Sequence, residues 1–142
     1  MAIRFFEEDR SEKGLKRREA KRWLTEVIRS EGKELGEVNI VFCSDDYLAG
    51  VNRKFLNRDY YTDVISFGYD DPEKISGDIM ISLDRIAENA EKMGVARLEE
   101  LHRIMVHGVL HLLGYDDATD EMRDGMAKME DLYLARLGVG LE

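Results

Sequence analysis

All three histidines of this chain, His102, His107 and His111, fall within the segment LHRIMVHGVLHLLGYDD. His107 and His111 are four residues apart, so on a helix they share one face. Their neighbours Ile104, Met105, Val106, Val109, Leu110, Leu112 and Leu113 leave that helix little polar surface. Two imidazoles in such company need partners, because a buried polar group left unpaired is costly. A divalent metal is one such partner: neutral imidazole nitrogens suit zinc, and an i,i+4 pair offers one ion two ligands. Two unrelated histidines with ordinary hydrogen bonds satisfy the same spacing. Gly114 can end the helix and turn the chain back, and Asp116 and Asp117 follow it. Either short carboxylate could complete a His₂Asp site with water in the open position. Gly108 stands where the HExxH peptidase signature carries its general-base glutamate, so that signature is absent. His102, about 140° round the helix from His107, should point away from the pair.

Other residue types with chemical potential lie upstream. Asp63 and Asp78 each interrupt an apolar strand pattern, as cleft carboxylates or as edge and turn groups. Thr62 and Ser66 could donate hydrogen bonds to phosphate, or serve as ordinary half-buried strand hydroxyls. Arg53, Lys54 and Arg58 form one small basic group, and Lys13, Lys16, Arg17, Arg18, Lys21 and Arg22 form another. A solvated helix face accounts for the second group. Tyr115 could stack on a base or pack against the helix stop. Trp23 reads as core, and Cys43, within a β-rich run, reads as an inert buried thiol.

The elements that must position these groups follow from patterning. Ala2–Phe6, Val38–Cys43, Thr62–Phe67 and Ile75–Ser82 are predicted strands, apolar and rich in β-branched residues. Helices are predicted from Gly14 to Ser30, from a Ser44 or Asp45 cap to Leu56, from a Ser82 or Asp84 cap to Gly94, over Arg97–Leu113, and from Thr119 to Leu137. The order β-α-β-α-β-β-α-α-α describes one small sheet covered by helices. The short, turn-rich segment around Pro72 makes the third and fourth strands an antiparallel pair, against a wholly parallel sheet.

At 142 residues and 16.4 kDa the chain is expected to form one domain, residues 1–142, that needs no disulfide staple. Its single cysteine excludes an intramolecular disulfide and a Cys-rich zinc module. The start MAIRFFEEDR has no apolar h-region and no run approaches 18 apolar residues. No secretory signal or membrane span is expected, and the cytoplasm is the default location. Residues 1–60 carry 13 Lys+Arg and 12 Asp+Glu, whereas residues 61–142 carry 8 and 18, for a net charge of −9. Such a chain cannot coat nucleic acid over its whole surface, although a local basic face remains open to it.

The segment His107-Gly-Val-Leu-His111-Leu-Leu-Gly114-Tyr-Asp-Asp117 resembles the signature of the YbeY family, bacterial metal-dependent endoribonucleases of rRNA maturation. That signature reads HGxLHLxGYDH, with three histidines as zinc ligands. Its first two histidines fall on His107 and His111, and its third on Asp117, an aspartate that can still serve as an oxygen ligand. Asn52 followed by Thr62-Asp63-Val64-Ile65-Ser66-Phe67 resembles the LN…TDVLSF block, and Gly77-Asp78-Ile79-Met80-Ile81-Ser82 resembles the GDIxIS block. The three blocks keep the family order over nearly the whole chain. The family's arginine after the LN pair falls on Leu56, with Arg58 two residues later.

The resemblance implies an α+β domain: a small, mixed, mainly parallel four-stranded sheet, about five helices and a zinc-peptidase-like metal site. It further implies one Zn²⁺ per chain, or another divalent metal, held by His107, His111 and Asp117. The expected activity is cleavage of single-stranded RNA or rRNA precursor by a metal-bound water assisted by Asp63 and Arg58, with attack by the RNA 2′-OH as the rival route. Arg53, Lys54, Arg58, Thr62, Ser66 and Asp78 are the expected substrate contacts. The ribosome or small-subunit assembly factors are the expected macromolecular partners, and no membrane is. Two other functions compete: a ribosome-associated RNA- or protein-binding factor with a structural metal, and a metal-dependent hydrolase of another substrate.

Overall fold

The computed structural model describes residues 2–137. Its elements run β1 (Ala2–Glu7), α1 (Arg17–Ser30), β2 (Glu34–Cys43), α2 (Asp45–Leu56), β3 (Val64–Gly68), β4 (Lys74–Ser82), α3 (Leu83–Met93), α4 (Arg97–Leu112) and α5 (Asp120–Leu137). The strands form one sheet in the order β1-β2-β4-β3. β1, β2 and β4 are parallel and β3 runs antiparallel to β4 at the edge. This is the mixed, mainly parallel α+β arrangement expected from the sequence.

Alternation along the strands divides the molecule into two unequal cores. Ile3, Val38, Ile40, Phe42, Ile79 and Ile81 face the larger one, where they meet Trp23, Leu24, Val27 and Ile28 of α1 and the apolar residues of α4. Cys43 and Ile65 face a smaller one with Leu48 of α2, joined by the partly buried Phe67 and Met80. Burial pushes the Cys43 thiol up to about 12, consistent with the inert role expected of it. Trp23 is core as expected, and its indole donates to the Tyr133 carbonyl at 2.8 Å.

α4 lies deep in the larger core, with Leu101, Met105, Val106, Val109 and Leu110 fully buried. Gly108 permits that depth: a Cβ there would stand 2.6 Å from Ile79 Cγ2. The position that carries glutamate in HExxH helices is thus filled here by backbone packing against the sheet. Ser66 ties the edge strand to the same turn, its hydroxyl donating to the Gly108 carbonyl at 3.2 Å.

Chain signals set most boundaries. Ser44 caps α2 by accepting from the Tyr47 amide at 3.0 Å, and Ser82 caps α3 by accepting from the Arg85 amide at 3.1 Å. Thr119 Oγ1 accepts from the Met122 amide at 3.1 Å ahead of α5. α1 begins at Arg17, three residues after the predicted Gly14. The reason is Glu12, whose carboxylate accepts the Gly14 and Leu15 amides at 2.8 and 3.0 Å and holds them in a turn. β3 begins at Val64, which leaves Thr62 and Asp63 in the approach to the strand.

Candidate metal centre

α4 carries His107 and His111 to its exposed end, and Gly114, at φ 103°, reverses the chain so that Asp117 returns over them. His107 Nε2 and His111 Nε2 stand 3.1 Å apart, and Asp117 Oδ2 lies 3.6 Å from the first and 3.4 Å from the second. One ligand atom from each of the three residues lies within 4.8 Å of the others, close enough to hold one metal ion. Asp116, the alternative carboxylate, instead accepts the Asp117 amide at 2.7 Å and steadies the turn.

The remaining ring nitrogens decide what this cluster can accept. His107 Nδ1 lies 2.7 Å from Glu130 Oε2 and His111 Nδ1 lies 3.1 Å from the Tyr115 carbonyl. A carboxylate and a carbonyl offer only lone pairs, so both Nδ1 atoms act as donors. In the neutral form the two rings direct Nε2 lone pairs at each other and at an aspartate, an arrangement that calls for a cation. Burial opposes a charge on His107, but the Glu130 hydrogen bond and the charges of Glu130, Asp117 and Asp63 outweigh it, holding His107 above the ordinary imidazole range. The fit to a divalent metal rests on the donor set, two imidazole nitrogens and one carboxylate oxygen converging on one point, where a cation would take the place of the proton that His107 otherwise holds.

Glu130 is the residue of the cluster that sequence reading missed. It is buried on α5, and its second oxygen accepts from Arg103 Nη1 at 3.0 Å. The available signal was its place in the buried stripe Met126, Glu130, Tyr133, Leu134, where a carboxylate would otherwise be anomalous. His102 points away from the pair as expected. It is buried beside Trp23, with Nδ1 2.6 Å from the Leu98 carbonyl.

The cluster opens into a cleft of about 590 Å³ lined by α2, β3 and the turn after α4. Of the expected substrate contacts, Arg58, Thr62 and Ser66 line it, and so does Asp63, expected to assist the metal-bound water. Arg58 reaches it because Asn57 takes the left-handed conformation at φ 52° and ends α2, so that Arg58 and Leu56 face the same space. Asp63 is steadied by the Asn89 amide at 3.3 Å. Arg53 and Lys54 are not among the lining residues: Arg53 pairs with Asp59 at 3.4 Å, and the Lys54 ammonium sits 5.4 Å from the Phe55 ring centre.

Asp78 departs furthest from expectation. It alternates with Ile79, the residue that meets α4, and so occupies the opposite face of β4. There it accepts from Asn39 at 3.0 Å and from the Tyr69 hydroxyl at 2.5 Å. Tyr115 donates its hydroxyl to Glu31 at 2.6 Å, which packs it against α1. A separate groove of about 490 Å³ between α1 and α5, bordered by Trp23, Tyr133 and Arg136, brings no histidine or aspartate together.

The fold and the cluster together define a small α+β protein with a potential two-histidine, one-aspartate metal centre built on one helix and the turn that follows it. A family model described as Endoribonuclease YbeY matches residues 5–138. Relatives of that name include one from Bacteroides thetaiotaomicron, 44% identical over 135 residues that cover 95% of this chain and 98% of that protein. Another, from Flavobacterium psychrophilum, is 49% identical over 109 residues, covering 77% of this chain and 78% of its own. The solution structure of TM1509 from Thermotoga maritima superimposes with a TM-score of 0.69 at 28% identity, covering 95% of this chain and 88% of that one. The chain belongs to the YbeY family.

Proposed function

We propose that this chain is a zinc-dependent endoribonuclease that cleaves single-stranded RNA, acting in the cytoplasm as a single domain in rRNA 3′-end maturation and ribosome quality control. Family membership carries the ribonuclease reading. The observation that carries the metal is the convergence of His107 Nε2, His111 Nε2 and Asp117 Oδ2 with both Nδ1 atoms already engaged. Nitrogen donors favour zinc among the common divalent ions. When bound, the ion supplies Lewis-acid polarisation of a phosphodiester and a more acidic water.

The chain's own residues supply the rest. Glu130 and the Tyr115 carbonyl hold the two imidazoles in one tautomer and orientation. Arg58, at the cleft wall, neutralises phosphate charge as it builds during cleavage. Asp63, fixed by Asn89, is placed to accept a proton from the attacking oxygen, whether of water or of the ribose 2′-OH. Thr62, whose hydroxyl donates to the Val64 carbonyl at 3.4 Å, would turn it toward the phosphate. Among the described residues no helix is long and apolar enough to cross a membrane. Ribosomal or assembly-factor contacts would bring the RNA to this cleft.

Purified protein on matched single- and double-stranded RNAs, with and without chelator, tests the reading. Chelation and His111→Ala should each lower single-strand cleavage by at least about 10²-fold, with metal restoring activity only to the wild type. Salt-sensitive RNA binding without cleavage by metal-loaded protein would identify a binding factor instead.

A further inference from the structure

Six aromatic side chains are exposed among the described residues, and five of them, Tyr47, Phe55, Tyr60, Tyr61 and Tyr69, lie between positions 47 and 69. That stretch supplies one wall of the cleft. Three of the five are engaged. The Tyr61 hydroxyl donates to Asp46 at 3.1 Å with the Arg85 guanidinium over its ring, the Tyr69 hydroxyl donates to Asp78 at 2.5 Å, and Tyr47 is hydrogen-bonded to Glu8.

Tyr60 differs. It lines the cleft together with His107, His111 and Arg58, yet its ring and hydroxyl have no partner among the described residues. Its backbone, in contrast, is held: buried Asn52 donates its side-chain amide to the Tyr60 carbonyl at 3.0 Å. A fixed backbone carrying a half-exposed, unpartnered aromatic ring is preorganised for a flat ligand. Phe55, in the last turn of α2, is also exposed, but it stands edge-on to Phe67 on the α2 side of the sheet and does not line the cleft. Arg58, which lines the cleft with Tyr60, adds positive charge to the same wall.

We propose that Tyr60 is a base-stacking ledge beside the His107–His111–Asp117 centre, and that it selects RNA unpaired near the cleaved phosphate. The proposal rests on the ribonuclease reading and adds the element that discriminates single from double strands. Every base has a π face, so such a ledge is tolerant of sequence. Bases within a duplex are already stacked on their neighbours and cannot use it.

The test compares wild type, Tyr60→Leu, Tyr60→Phe and Phe55→Leu, all metal-loaded and matched for thermal stability, on one cleavable single-stranded RNA. Tyr60→Leu should bind about tenfold more weakly with an unchanged dependence on salt, because stacking displaces no counterions. Tyr60→Phe should bind as wild type, and Phe55→Leu, which removes an equally aromatic side chain outside the cleft, should also bind as wild type. An abasic residue moved through the RNA should weaken wild type at one or two positions and leave Tyr60→Leu unaffected at those positions. Equal affinity of Tyr60→Leu and wild type, in protein that cleaves this RNA, would overturn the ledge and leave the ribonuclease reading standing. Wild type that neither binds nor cleaves any RNA would overturn both.

Discussion

Each histidine of the pair has one ring nitrogen tied to the protein and one directed at Asp117, and that division makes the cluster a candidate ligand set. Of the two ties, the one to Glu130 can be removed by mutation, whereas the Tyr115 tie is a backbone carbonyl. Glu130 also connects His107 to Arg103, so a charge on α5 orients a ring on α4. Glu130→Ala is expected to weaken divalent-metal affinity about 10- to 100-fold, the usual range for loss of a carboxylate behind a ligating histidine. Asp131→Ala provides the control. It removes the other carboxylate on Arg103, which Nη2 contacts at 2.7 Å, and leaves His107 untouched. Metal titration of both variants checks the assignment: equal affinities would mean that Glu130 serves α4–α5 packing alone. Among the ring's immediate partners, then, the decisive residue is one that sequence spacing did not indicate.

At the scale of elements, α4 carries both the candidate centre and a buried acid. Glu100 lies two turns before His107, is only 4% exposed, and its Oε1 has no hydrogen-bond partner. Burial, reinforced by the charge of Asp63, raises its pKa above the ordinary 4.5. A carboxyl whose folded value is raised contributes its full stability below the unfolded value, and that contribution is lost as pH rises through the folded one. Glu100→Gln should therefore match wild type near pH 4 and gain stability progressively above pH 4.5, levelling off beyond the raised value. By neutral pH the gain should be about 3 °C in Tm. Melting curves across that range check it, and a constant offset at every pH would exclude titration of Glu100 as the cause. The same helix shows what sequence can disclose. Its face, its Gly114 stop and its histidine pair are local, so spacing and composition suffice to read them. Glu130 approaches His107 from 23 positions away, and no local pattern links the two. Asp78 follows a different logic: alternation separates it from Ile79, but both faces of this sheet are covered, so the pattern could not say which face holds the site. Arg58 was legible as a basic residue near Leu56. Its entry into the cleft depends on the left-handed turn at Asn57, a backbone event.

For the whole molecule, charge sets the constraint. With a net charge of −9 the protein repels a polyanion at long range. The Debye length is about 8 Å at physiological ionic strength, so attraction must come from cations within reach of the bound phosphates. Three basic residues precede β3, and the structure separates them. Arg53 already balances Asp59, and removing it would free that carboxylate as well as delete a cation. Lys54 lies over the Phe55 ring outside the cleft lining, whereas Arg58 faces the cleft. Salt acts on binding in two directions: it screens the overall repulsion and competes with the local phosphate contacts. Arg58→Gln should therefore weaken single-stranded RNA binding and also flatten the plot of log affinity against log salt by about 0.7, the value of one phosphate contact on a single strand. Lys54→Gln should produce a smaller change in slope, and a glutamine on the acidic outer face of α5, at Lys128, should produce none. Affinities measured from about 50 to 300 mM salt distinguish the three variants. An Arg58→Gln slope equal to that of wild type would place the phosphate contact elsewhere on the cleft wall, since no screening of distant charge can imitate the loss of a bound counterion site.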